Sequence, residues 1–176
     1  PDAGTDTELL NRGVSNFHTR LSFDELFMLE LGLAVLKHGT IVEKGIPFNP
    51  PGIIFKNLID SLPFHLTNAQ ENVFNEILND MQRACPMNRL IQGDVGCGKT
   101  IVALMAMVIA AESGYQSALM APTEILAEQH YLNIYKTMEK LGLKICLLTG
   151  STTDRPLEQI ASGEINMVVG THALIQ

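Results

Sequence analysis

Residues Gly93-Asp94-Val95-Gly96-Cys97-Gly98-Lys99-Thr100 follow the spacing G-x-x-x-x-G-K-[ST] and lie between a short apolar run and a long helical one. Glycines at 93, 96 and 98 let the backbone adopt positive φ and come close to a polyphosphate, so that successive N–H groups turn inward as an anion nest. A helix opening directly behind such a loop favours negative charge at its start. In that geometry Lys99 reaches the β- and γ-phosphates as a point charge, and the Thr100 hydroxyl ligates Mg²⁺. The plain alternative is a glycine-rich turn that carries a lysine by chance. The strand, loop and helix that the motif demands around it argue against that alternative.

Two residues upstream could meet the base. Gln70 ends the run Thr67-Asn68-Ala69-Gln70, a capping box in which its amide closes its own helix; its geometry also suits the N6 and N7 edge of an adenine. Local sequence favours capping. Phe64 could pack on the base, although filling the core is the default for an isolated phenylalanine.

The elements that must position these residues follow from periodicity. Val73, Phe74, Ile77, Leu78 and Met81 form a helical stripe running to about Ala84, and Arg89 to Gln92 reads as a strand feeding the loop. Ile101 to Glu112 is apolar nearly all round, so it should be sandwiched, and Gly114 ends it. Strands are expected at Ser117–Met120, Lys144–Leu148 and Asn166–Val169. Between them lie a helix opened by Pro122-Thr123-Glu124 and running to Gly142, and a short one from Pro156 to Ala161. This alternation implies right-handed βαβ units and an α/β fold of three layers, a parallel sheet covered on both faces.

Ligands of such sheets bind beyond the carboxyl ends of the strands. That rule selects Gly93–Thr100, Ala121-Pro122-Thr123, Thr149-Gly150-Ser151-Thr152 and Gly170-Thr171-His172. The last three combine small or hydroxyl residues with backbone N–H groups, a composition suited to phosphate oxygens. Taken singly, Thr123 and Thr171 read more simply as helix caps. His130 falls inside a helix with nothing metal-like around it, and His172 stays open between packing and function.

Upstream, Pro1 to Arg20 reads as a connecting segment. Ser22 with Glu25 forms a capping box, Leu21 and Leu26 stand at staple positions, and Gly39 is the expected stop. Leu26, Leu29, Leu33 and Leu36, widened by Phe27, Met28, Leu31 and Val35, predict a helix buried on more than one side. Thr40 to Gly52 carries Gly45-Ile46-Pro47 and Asn49-Pro50-Pro51-Gly52 and reads as a linker and candidate boundary. A short helix from about Ile53 to Ser61 follows, closed by Pro63.

With 176 residues and 46% apolar content the chain can bury a real core. Its net charge of −7 supplies no broad field drawing it to DNA or anionic lipid, so any grip on nucleic acid must be local. Cys85, Cys97 and Cys146 are widely spaced, which argues against a zinc site or disulfide framework and fits a reducing cytoplasm. The longest apolar stretch, Ile101 to Ala111, is too short to span a bilayer.

Several segments taken together resemble a known family. They are Leu66-Thr67-Asn68-Ala69-Gln70, Pro86 through Gly96, Ala121-Pro122-Thr123-Glu124 with Ala127-Glu128-Gln129-His130, and Val169-Gly170-Thr171-His172-Ala173-Leu174-Ile175-Gln176. The chain is similar nearly end to end to RecG, a family of superfamily 2 DNA translocases that remodel stalled forks and branch-migrate junctions. Arg20 to Leu26 resembles the helical segment linking that family's wedge domain to its motor. The transcription-repair coupling translocases share Asp94-Val95-Gly96 and Gly170-Thr171-His172; Leu90-Ile91-Gln92, Leu66-Thr67 and the upstream helix lean to RecG.

The resemblance implies a P-loop NTPase lobe of RecA-like fold, preceded by a helical linker segment at residues 1–62 and occupying residues 63–176. It implies ATP and Mg²⁺ as cofactors, with Gly93, Asp94, Val95, Gly96, Cys97, Gly98, Lys99 and Thr100 at the phosphates, Thr100 on the metal, and Gln70 at the adenine, beside which the residue reading sets Phe64 as a candidate. It implies that Pro122, Thr123, Gly170 and Thr171 hold DNA, that the partners are forks, Holliday junctions and a single-stranded DNA-binding protein, and that the setting is cytoplasmic. Cys97 stands where serine or another small residue is usual. No Asp follows Asp154, so the Asp-Glu pair that orients water is expected to lie outside these residues, as are the second motor lobe and the wedge. The lobe is expected to be incomplete and inactive alone. Two readings of other classes remain: a small phosphotransferase, for which Arg155 alone after the loop is a poor lid, and a non-catalytic nucleotide-binding module.

Overall fold

The structure, a computed structural model, describes residues 7–42, 44–152 and 156–175. Asp154, Arg155 and Gln176, which entered the sequence reading, lie outside them. The chain divides into two compact units, Pro1–Lys44 and Gly45–Gln176.

The first unit holds α1 (Thr7–Asn11) and α2 (Asn16–Val42). Of the connecting segment expected over Pro1 to Arg20, the described part is therefore largely helical, and Ser22 lies inside a helix that begins six residues earlier. The true start is at Ser15: its carbonyl accepts from the Thr19 N–H at 3.1 Å, and its buried hydroxyl bonds His18 Nδ1 at 2.7 Å. Nothing between Asn16 and Leu21 breaks a helix, so the capping signature at Ser22 has no end to cap. The expected stop at Gly39 is also overridden, since the backbone stays helical to Val42 and an interior glycine costs only about 1 kcal/mol. Burial on several sides is not what the described side chains have: Leu26, Leu29, Leu33 and Leu36 are all at least half exposed. Among the described residues the unit contains no sheet or second long helix to cover them.

In the second unit the residues expected to form a loose linker are tied down. Gly45 N–H donates to the Ala84 carbonyl at 3.0 Å, Phe48 N–H to that of Met81 at 3.0 Å, and the Phe48 ring meets Tyr115 edge-on. α3 (Ile53–Ser61) follows, with Leu58 fully buried. Its N-cap is Gly52, which has no side chain to offer; the Glu112 carboxylate instead accepts from Gly52 N–H and Ile54 N–H, both at 2.8 Å. The two units thus divide at Lys44/Gly45, within the Thr40–Gly52 stretch, and α3 packs in the second.

α4 (Asn68–Met81) opens on the expected capping box, both halves formed, and ends slightly before Ala84. α5 (Lys99–Glu112) buries seven residues, among them Met105, Val108 and Ile109, because α3 and α4 cover one side and the sheet the other. The sandwiched helix read from composition is observed. At about 1.5–3 kcal/mol for each fully buried large apolar side chain, α5 is the main anchor of the lobe.

The sheet is parallel and contains β1 (Ser117–Met120), β2 (Ile145–Leu148) and β3 (Met167–Gly170) in the order β1-β3-β2. α6 (Glu124–Lys140) packs on β2 and β3. Met167, Val169, Ile145, Leu119 and Leu147 join the main core with α5 and α6, whereas Val168, Leu148 and Cys146 face α7 (Leu157–Ala161) and the 3₁₀ turn His172–Ile175. Helical elements thus cover both faces of the sheet.

The expected strand Arg89–Gln92 is absent from the ladder. Those residues pair with no strand among the described residues, and Leu90 is 87% exposed. A strand exists through its neighbours' N–H and C=O groups, and an apolar run without them remains irregular. Arg89 pins the run to α4 instead, by ion pairs with Glu76 and, at 2.6 Å, Asp80.

Candidate functional site

The loop Gly93–Gly98 leads straight into α5. Gly96 and Gly98 have φ of 85° and 88°, the left-handed conformation a phosphate nest requires. Gly98 is the N-cap of α5 and supplies no capping side chain, so the first N–H groups of an otherwise apolar, buried helix are open to an anion. A side chain at Gly98 would be strained at this φ, and its Cβ would displace the Gln70 amide from the loop.

A cleft of about 430 Å³ lies against this loop. Gly93, Asp94, Cys97, Gly98 and Lys99 line it together with Thr67, Ala69, Gln70, Val73, Ile91 and Val102, so polar loop atoms face an apolar wall. Gln70 is thus brought to the loop. Its Oε1 accepts from Thr67 N–H at 2.9 Å and its Nε2 donates to the Cys97 carbonyl at 2.9 Å. Phe64 is half exposed and does not line the cleft, nor do Val95, Gly96 and Thr100, which are exposed around it.

Lys99 is folded inward. Its Nζ donates to the carbonyls of Gly93 at 2.8 Å and Asp94 at 2.7 Å and lies 3.8 Å from Cys97 Sγ. Its charge is thereby held by two loop carbonyls that it satisfies. The donor set fits a polyphosphate once Lys99 turns toward it. Among the described residues no group of three or more His, Cys, Asp or Glu side chains could hold a metal. The exposed Thr100 hydroxyl, which bonds no described residue, suits the sparse protein ligation typical of Mg²⁺.

The three further loops stand side by side at the carboxyl edge of the sheet. Thr123 is the N-cap of α6, its Oγ1 accepting from Leu126 N–H at 3.3 Å. The capping reading holds for Thr123. Thr171 has no side-chain cap; its N–H donates to the Leu148 carbonyl at 3.3 Å, and Gly170 accepts from Ala121 N–H at 2.8 Å. Gly170 must be glycine, since a Cβ would strike the Leu148 carbonyl. Thr149 is buried, and Ser151 is tied to Glu124, a contact across 27 residues of sequence for which no local signal exists. His130 is half-buried on α6 and His172 exposed at the sheet edge.

The cysteines are free thiols: Cys97 exposed, Cys85 and Cys146 partly buried. Burial in the sheet raises the Cys146 thiol above its ordinary value. No helix of the described residues is long and apolar enough to cross a membrane.

Known proteins resemble this chain along most of its length. It is 44% identical over 171 residues to the ATP-dependent DNA helicase RecG of Aquifex aeolicus, covering 95% of this chain and 22% of that protein. It is 48% identical to RecG of Synechocystis sp., covering 89% and 20%, and 55% identical to RecG of Bacillus subtilis over 122 residues, covering 67% and 18%. The chain spans about a fifth of the length of these relatives. The model of the DEAD/DEAH box helicase family matches residues 67–176, from the N-cap of α4 through the last sheet-edge loop. With more than half of its residues matched, the chain belongs to the DEAD/DEAH box helicase family and is similar within it to RecG.

Proposed function

We propose that these residues are the nucleotide-binding part of an ATP-driven DNA translocase that remodels branched DNA such as stalled forks and Holliday junctions. The observation that carries the reading is the cleft between the glycine loop and Gln70, at the same end of the lobe as the three hydroxyl-bearing loops. The short connection from α5 to β1 leaves the start of α5 at the level of the strands' carboxyl ends. A nucleotide cleft and a surface suited to phosphates are thereby adjacent. The similarity to proteins named as ATP-dependent DNA helicases supports the same reading.

In this account Lys99 leaves the Gly93 and Asp94 carbonyls and turns its charge toward the transferring phosphate. The open N–H groups at the start of α5 and the turned backbone at Gly96 and Gly98 hold the remaining phosphate oxygens. Thr100 would hold Mg²⁺, and bound ATP with that ion would supply the phosphoryl-transfer chemistry. Gln70 reads the adenine with the amide groups its cap leaves unused. Thr123 keeps its hydroxyl proton for a DNA phosphate while its oxygen caps α6, and Pro122, Gly170 and Thr171 complete the contact surface. The division of labour we propose gives residues 63–176 to the motor and residues 1–62 to a linker. The setting we infer is cytoplasmic. These residues alone should bind nucleotide weakly without turning it over.

Titrating the ATPase of the full-length protein with forked DNA, linear duplex and small phosphoacceptors tests the reading. Stimulation greatest with forked DNA is expected. Transfer of phosphate to a small acceptor, or turnover indifferent to DNA, would overturn it.

A further inference from the structure

We propose that Glu124 is a positioning residue: its carboxylate holds the Thr149–Thr152 loop in place relative to Pro122-Thr123, so that the three sheet-edge loops meet a DNA backbone as one surface. The proposal rests on the DNA-motor reading above and adds to it the residue that sets the position of the Thr149–Thr152 loop.

β3 separates β1 from β2, so the loops that follow the two outer strands stand two strand spacings apart, about 10 Å. No ladder joins them. Glu124, first residue of α6, bridges the gap: Oε1 accepts from the Ser151 N–H at 3.1 Å and Oε2 from the Ser151 hydroxyl at 2.9 Å. Below this contact the loop is internally bonded. Thr149, only 2% exposed, donates its N–H to Thr152 Oγ1 at 2.9 Å, and its hydroxyl lies 3.0 Å from Ser151 Oγ and 3.1 Å from Thr152 Oγ1.

Proton counting gives this chain a direction. Ser151 spends its one hydroxyl proton on Glu124, so it accepts from Thr149, which in turn accepts from Thr152. Every hydroxyl proton in the loop is thus aligned toward the carboxylate, an arrangement in which each bond polarises the next. Exposed Gly150 is left at the tip of the loop. A Cβ there would come within 3.1 Å of Glu124 Oε1. A carboxylate beside a surface built for phosphate would by itself repel DNA. Its two bonds to Ser151 supply the compensating role.

The test measures, in the full-length protein, the forked-DNA concentration giving half-maximal ATPase stimulation and its salt dependence, for E124A, S151A and the double variant. The expected result is a rise of about tenfold for E124A, with the rate at saturating DNA and the KM for ATP each moving less than about twofold. S151A should behave alike, and the double variant no worse than either single one, because the two residues act as a unit. The slope of log affinity against log salt should flatten by about one, the loss of one phosphate contact. Tighter DNA binding by E124A would reduce Glu124 to a repelling charge and overturn the proposal. So would additive effects, or a loss of ATP and DNA function in equal proportion with a lowered Tm. A stimulated wild type with unchanged E124A overturns this proposal alone; a wild type that DNA does not stimulate overturns the motor reading and this with it.

Discussion

Gln70 Nε2 lies 2.9 Å from the carbonyl oxygen of Cys97, so the first turn of α4 is bonded directly into the glycine loop. A glutamine amide carries two N–H donors and two lone pairs on its oxygen. Gln70 spends one donor on Cys97 and one lone pair on Thr67 N–H, leaving one of each. That remainder matches the N6–H and N7 of an adenine. Helix capping and base reading, alternatives in the sequence, are compatible in one side chain.

Substituting Gln70 separates the two roles. Gln70→Glu keeps an acceptor for Thr67 but has no N–H donor for Cys97 or N7, whereas Gln70→Ala loses the cap as well. Both variants should raise the KM for ATP roughly tenfold and erode the preference for ATP over GTP. Only the alanine variant should lose the cap contribution of about 1 kcal/mol in thermal melts. A glutamate variant that still prefers ATP would show that Gln70 does not read the base.

Glu112 caps α3 from the far end of α5, through bonds to Gly52 N–H and Ile54 N–H at 2.8 Å. Hydrogen bonds to a charged group contribute about 1.5–3 kcal/mol, and exposure of Gly52 places this pair at the lower end. Glu112→Ala should lower stability in urea unfolding by about 2 kcal/mol. A change within about 0.5 kcal/mol, ordinary for a surface substitution, would mean that Gly52 and the start of α3 are held by packing alone.

Among the three thiols, Cys97 should be alkylated first, being exposed in the loop, and ATP with Mg²⁺ should protect it. Cys146 should be slowest near neutral pH and gain reactivity only as pH rises, because burial holds its thiol protonated above the usual range. Mass-spectrometric mapping gives the order. Prior labelling of Cys85 or Cys146, or labelling of Cys97 indifferent to nucleotide, would contradict this placement of the nucleotide.

How much was legible in the sequence depended on the range of the interactions. The capping box at Thr67, the buried run of α5 and the alternation of β1 to β3 with helices rest on residues within a turn or two of each other, and all were readable. The start of α2 failed because a capping signature marks an end only where the chain before it cannot continue the helix, and Asn16 to Leu21 can. Arg89–Gln92 failed because strand propensity cannot supply a ladder partner. Lys99 folded onto Gly93 and Asp94, Glu112 over Gly52 and Glu124 on Ser151 are contacts that only the assembled chain creates. Gln70 was half legible: its cap is local, its bond to Cys97 is not.

The central claim is that this loop drives a DNA motor and that Lys99 serves the phosphate and not the DNA. Lys99→Ala in the full-length protein, assayed in parallel for forked-DNA-stimulated phosphate release and for fork binding without nucleotide, tests it most directly. The account predicts stimulated turnover falling by about 10²-fold or more while fork affinity stays within about threefold. Turnover that survives the substitution, or fork binding that falls in step with it, would contradict the account.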